Sequence, residues 1–143
     1  GVALADQGSY AEAESSFREA LKYNPEDAQS HHRLGAVLWT LNQTAEGEKE
    51  CREALRLKPD LMEAHYDLAI MLSKEGKWAE SEKEFRETLK LAPNLPQALA
   101  GLGEALDNQG HRKEGRIYWK KARSLAKDPD LVKAIEKRLG EKE

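Results

Sequence analysis

The chain has 143 residues, of which 34% are charged, 39% hydrophobic and 6% aromatic, with a formal net charge of −3. That length suits one globular domain or one short run of repeats, and Leu and Ala recur too steadily for a disordered chain. The charge balance gives no general pull toward nucleic acid or anionic membrane, and no apolar run nears the ~20 residues that span a bilayer.

In chain order, "GVALADQG" at residues 1–8 reads as the end of a helix, with no initiator Met and no signal-peptide pattern. The expectation is a piece of a longer protein, with a cytoplasmic location as the default. Helices are predicted over 1–7 and 11–23, then 28–41 and 45–57, 62–75 and 79–91, and 96–109 and 113–125. Each pair is joined by a tight turn at Gly8, Asn42, Gly76 or Gly110, the residue types that enter the left-handed conformation closing a helix. Pro25, Pro59 and Pro93 fall between pairs, where a missing amide donor costs no helix bond. In "PDLVKAIEKRLG", residues 129–140, Leu131, Ile135 and Leu139 stand four apart with Val132 beside them. This single apolar stripe predicts a helix that covers the end of the last pair. No β-strand is expected.

These features recur every 34 residues. Leu34, Leu68 and Leu102 share one slot, and Leu4, Leu38, Leu72 and Leu106 another. Gly1, Gly35, Ala69 and Gly103 form a small slot, as do Ala13, Gly47, Ser81 and Gly115. Phe17, Cys51, Phe85 and Trp119 form a bulky one. Small slots let helix backbones approach, and bulky ones fill the space between them.

The pattern resembles the tetratricopeptide repeat, whose 34-residue unit runs W-x2-L-G-x2-Y…A-x3-F…P. The second unit here reads His31…Leu34-Gly35…Leu38…Gly47…Cys51…Ala54…Pro59. The third reads His65…Leu68-Ala69…Leu72…Ser81…Phe85…Thr88…Pro93, and the fourth Leu99…Leu102-Gly103…Leu106…Gly115…Trp119…Ala122. No Trp heads any unit, and Pro129 comes two residues late. The resemblance implies an all-α, right-handed superhelical solenoid of helix-turn-helix repeats. Its expected parts are a partial first repeat at 1–27, truncated in its first helix, repeats at 28–61, 62–95 and 96–128, and a capping helix and tail at 129–143, in one structural domain.

Catalytic and metal chemistry find little support. His31 and His65 share a packing slot, His32 points about 100° from His31 on a helix, and His111 lies at a turn. No HExxH or CxxC spacing occurs. Cys51 excludes an internal disulfide and sits in the slot of Phe17 and Phe85, which predicts a buried thiol. Neither an enzyme nor a cofactor is expected.

What remains is surface. At 100° per residue, Gln29, His32, Ala36 and Trp39 fall opposite the core stripe of 28–41. Glu63, Tyr66, Ile70 and Ser73 do so in 62–75, and Gln97, Ala100, Glu104 and Asp107 in 96–109. The resemblance implies that this side lines a concave groove that holds a partner's peptide or helix. Trp39, Tyr66 and Ile70 are the expected apolar anchor, beside acidic Glu63, Asp67, Glu104 and Asp107. The family's clamp for the chaperone C-terminal carboxylate has His32, Ala36, Asp67, Gln97 and Gly101 in its places here, without its cations, so that ligand is disfavoured. Residues 111–127 carry a balance of +6, with Arg112, Lys113, Arg116, Lys120 and Lys121 as an auxiliary basic face that most simply is a solvated helix side. An acidic groove argues against nucleic acid. The expected function is a non-catalytic protein-interaction module. The alternative is an assembly element that self-associates, through an open N-terminal end, without a separate peptide ligand.

Overall fold

The structure is a computed structural model that describes residues 4–140. Among these residues there are eight helices and no strand: α1 (Leu4–Tyr23), α2 (Ala28–Thr40), α3 (Thr44–Leu57), α4 (Met62–Lys74), α5 (Trp78–Leu91), α6 (Pro96–Asn108), α7 (Arg112–Leu125) and α8 (Pro129–Gly140). Contacts divide the chain into two compact units, one ending at Met71 and the other beginning at Leu72. In the first, α2 packs on α1 and α3; in the second, α6 packs on α5 and α7, and α7 on α8.

The repeated turns are built alike. Asn42, Gly76 and Gly110 have φ of 64°, 75° and 86°. At each, the next residue's N–H reaches back five residues: Gln43 to the Leu38 carbonyl at 2.8 Å, Lys77 to Leu72 at 2.9 Å, and His111 to Leu106 at 2.9 Å. The turn residue itself donates to Trp39, Ser73 or Asp107. This pair of bonds satisfies the last carbonyls of the helix and stops it.

The turn expected at Gly8 does not form. Gly8 lies inside α1, which replaces the predicted helices 1–7 and 11–23 with one continuous helix. Nothing lies within 4 Å of where a Gly8 side chain would start. The helix-forming run "YAEAES" carries the helix through this position, and one helical glycine costs only about 1 kcal/mol. Gly8→Ala is therefore expected to stabilise the fold by about 0.5–1 kcal/mol. Gly76→Val should cost about 1–2 kcal/mol, because it forces a β-branched residue to positive φ. Urea denaturation measures both, and a loss of stability in Gly8→Ala would put the turn back. The expectations resting on Gly1, Val2 and the Leu4 side chain lie outside the described residues.

In the first unit Leu34, Leu38, Cys51, Ala54, Ala64 and Leu68 are buried, and in the second Leu72, Phe85, Leu99, Leu102, Leu106, Trp119 and Ile135. Each buried large aliphatic contributes about 1.5–3 kcal/mol. Glycines set the spacing of the hairpins. A Cβ on Gly35 would lie 2.8 Å from the Gly47 carbonyl oxygen, and one on Gly115 would lie 2.9 Å from the Gly103 carbonyl oxygen. Pro129 opens α8 at its first turn, where proline is favoured. Ile135 then enters a cluster with Leu99, Ala100, Trp119 and Ala122, flanked by Leu131 and Leu139.

Candidate partner-binding face

Ala28 of α2 packs against a cluster of Ala54 of α3 with Leu61 and Ala64, which brings α2 beside the α4 segment of the first unit. A side-chain bond joins them: His32 Nε2 lies 2.7 Å from Asp67 Oδ2. Gln29 and Glu63 are exposed, while His32, Ala36, Trp39, Tyr66, Asp67 and Ile70 are half-buried. Trp39 does not simply point away from the core, because its Cβ would sit 3.4 Å from a Cβ on Gly47 of α3. Its base is packed and only part of the indole is open. Burial, and then the Asp67 charge, push the Tyr66 phenol above the usual tyrosine range. The face combines apolar and aromatic surface with carboxylates.

The second unit departs from the helical-wheel expectation on α6. Gln97 is exposed and Glu104 half-buried, as is Ser73 at the end of α4. Asp107, however, is committed to the fold. It accepts the Trp119 indole N–H at 2.9 Å and lies 3.4 Å from Arg138, whose guanidinium is 5.7 Å from the Trp119 ring centroid. Trp119 occupies the slot that holds Cys51 and Phe85, but unlike them it has an N–H that needs an acceptor when buried. That difference in the bulky slot was the available signal. Ala100 is likewise buried, in the cluster around Ile135. Gly101 lies beneath Phe85, whose ring occupies the space a side chain there would need.

Of the predicted basic face, Arg112, Lys113, Lys120 and Lys121 are exposed. Arg116 instead donates to the Leu139 carbonyl at 2.9 Å, satisfying an orphan group at the end of α8. Sequence reasoning missed a bridge that recurs two repeats apart. Arg18 binds Glu14 and Glu46 at 2.9 and 2.8 Å, and Arg86 binds Glu82 and Glu114 at 3.0 and 2.8 Å. The signal was Arg followed by Glu 28 residues later at both places. Exposed pairs of this kind contribute at most about 1 kcal/mol each.

His31 and His65 turn toward their loops. Each places Nε2 against the loop proline's carbonyl oxygen, at 2.8 Å to Pro25 and 2.7 Å to Pro59. His31 also sets Nδ1 2.6 Å from Glu50, so both ring nitrogens face acceptors and the imidazolium is favoured. Burial opposes that charge, but Glu50 and the Pro25 carbonyl outweigh it and raise the His31 pKa. A raised pKa means that this stabilisation is full below about pH 6.5 and is lost as pH rises through the folded-state value. An NMR titration of the His31 ring should give a midpoint above about 6.5, and a lower midpoint would contradict the geometry.

Cys51 is buried in the α2–α3 core, where loss of solvation and then the Asp67 and Glu50 charges raise its thiol to about 12. A thiol in that state is a poor nucleophile. Among the described residues, no three His, Cys, Asp or Glu side chains gather as metal ligands, and no helix is long and apolar enough to cross a membrane.

Two tetratricopeptide repeat family models match the sequence, over residues 1–61 and 62–95. No curated protein sequence matches it significantly. Among solved structures, the crystal structure of MamA protein matches with a TM-score of 0.77 and 21% identity over 84% of this chain and 66% of that one. The MamA RS-1 ArsTM double mutant gives 0.85 and 24% over 95% of this chain and 75% of its own. YrrB, described as a TPR protein with an unusual peptide-binding site, gives 0.79 and 23% over 93% of this chain and 69% of YrrB. The chain thus spans about two thirds of the length of the first of these, and at such identities the likeness is one of fold. The turns at Asn42 and Gly76, one 34-residue period apart, agree with the family match, and the chain belongs to the tetratricopeptide repeat family.

Proposed function

We propose that the chain is a non-catalytic protein-interaction module whose α2/α4 face in the first unit receives a peptide or helix of a partner protein. Tetratricopeptide repeats serve in general as such modules, and the description of YrrB as peptide-binding is in keeping with this. The observation that carries the reading is the half-buried set of Trp39, Tyr66 and Ile70, together with Glu63 and the His32–Asp67 pair. A partly open aromatic surface supplies an anchor for an apolar side chain, and the carboxylates favour Lys or Arg beside it. On the second unit, Gln97 and Glu104 give α6 a polar and acidic surface of its own.

Selection of peptides from a random display library on the immobilised chain tests this. Recovered sequences should share one aromatic or aliphatic residue with Lys or Arg on its C-terminal side. Acidic consensus sequences, or none, would count against the reading. Sedimentation of the free chain separates the alternative, since a tight dimer that recovers no peptide is the behaviour of an assembly element.

A further inference from the structure

The second unit contains a cleft beside Pro93, between α5, α6 and α7. It has a volume of about 310 Å³, a floor of Leu89, Leu99 and Leu102, and a rim that includes Arg86, Tyr118 and Lys121. Two repeats earlier the matching positions are Leu21, His31 and Leu34, then Arg18, Glu50 and Glu53. There His31 stands in the place of Leu99, its ring bonded to Glu50 at 2.6 Å and to the Pro25 carbonyl at 2.8 Å. Leu99 has no ring nitrogen to offer Pro93, whose residue also lines the cleft. Tyr118 and Lys121 replace two carboxylates, so the same place in the fold loses two negative charges and gains a positive one.

The rim is ordered for an acceptor. Arg86, held by Glu82 and Glu114, donates to the Tyr118 oxygen at 3.2 Å and lies 5.7 Å from that ring's centroid. The Tyr118 oxygen therefore already accepts a bond, and its own proton has no acceptor among the described residues. The Lys121 ammonium has no carboxylate partner among them either. Lys90, also at the rim, is paired with Glu87 at 2.7 Å. The free donors are thus Tyr118 and Lys121, both on α7, where Arg112, Lys113 and Lys120 add to the positive field. A volume at the lower end of ligand pockets suits one side chain and one carboxylate rather than a lipid tail.

We propose that this cleft docks an acidic peptide segment of a partner protein. One aliphatic side chain enters over Leu89 and Leu99, and a neighbouring carboxylate accepts hydrogen bonds from Tyr118 and Lys121. The site is independent of the α2/α4 face and has the opposite charge preference.

Fluorescence anisotropy with a fluorescein-labelled Gly-Glu-Leu-Glu-Gly peptide tests this on the full chain. The expected result is saturable binding that weakens about tenfold or more in Lys121→Glu, as for loss of a charge-assisted bond. Leu99→His, which places the first unit's residue over the cleft floor, should also weaken it. Leu99 is buried and that variant could lose stability, so the deciding variant is the exposed Lys121→Glu, with an unchanged circular dichroism spectrum. A peptide with Ser for Leu, or with Gln for both Glu, should bind at least as poorly. No binding below roughly 1 mM, equal binding by Lys121→Glu, or equal competition by nonanoate would overturn the proposal. So would binding that Trp39→Ala abolishes and Lys121→Glu leaves intact.

Discussion

Gly35→Val is expected to cost the fold about 3 kcal/mol or more. A Cβ at this position would meet the Cys51 sulfur at 2.7 Å and the Gly47 carbonyl oxygen at 2.8 Å, and the second of these is backbone. No rotamer change relieves a backbone collision, so α2 and α3 must separate. Separation would open the space around Leu34, Leu38 and Ala54, which are 1%, 0% and 0% exposed. Interiors are packed closely enough that such a shift propagates along both helices. Urea denaturation followed by circular dichroism measures the loss. A Gly35→Val protein within about 1 kcal/mol of the parent would mean that the hairpin spacing is looser than the structure gives.

Trp39→Ala is expected to weaken binding of a selected basic peptide by about 2 kcal/mol or more while leaving helicity nearly unchanged. The indole is half-buried and its base rests against Gly47, so a modest loss of stability accompanies the loss of affinity. Glu63→Lys should slow association and flatten its salt dependence, because Glu63 is exposed on the same face. Asp107→Lys belongs to a different class. It would place a cation beside Arg138 and leave the Trp119 N–H unpaired, so its expected effect is on stability. If Trp39→Ala unfolds the protein and the folded remainder keeps its affinity, Trp39 is core and not an anchor.

Which features the sequence could reveal follows from their physics. The turns at Asn42, Gly76 and Gly110 were legible because left-handed backbone restricts residue type so strongly. Gly8 carried the same signature and misled, because a turn residue permits a stop that only tertiary packing enforces. The size-matched slots were legible at Gly35 and Gly47, where backbone approach excludes any side chain. Side-chain chemistry was not legible from periodicity alone. A helical wheel places Asp107 with Trp39, since both occupy one register position, but it cannot show that the Trp119 indole claims the carboxylate. Nor can it show that His31 leaves its ring in the loop while Leu99 leaves a cleft. Such features depend on pairs of positions in different helices, and each repeat varies them independently.

Recognition through the α2/α4 face of the first unit can be read residue by residue, by chemical-shift mapping with a peptide from the basic-anchor selection. The largest shifts should fall at His32, Ala36, Trp39, Tyr66 and Ile70, with the exposed residues Lys49, Arg52 and Arg56 of α3 unmoved. Shifts centred on those α3 residues, with the Trp39 indole unperturbed at saturation, would place recognition on the opposite helix and overturn the assignment.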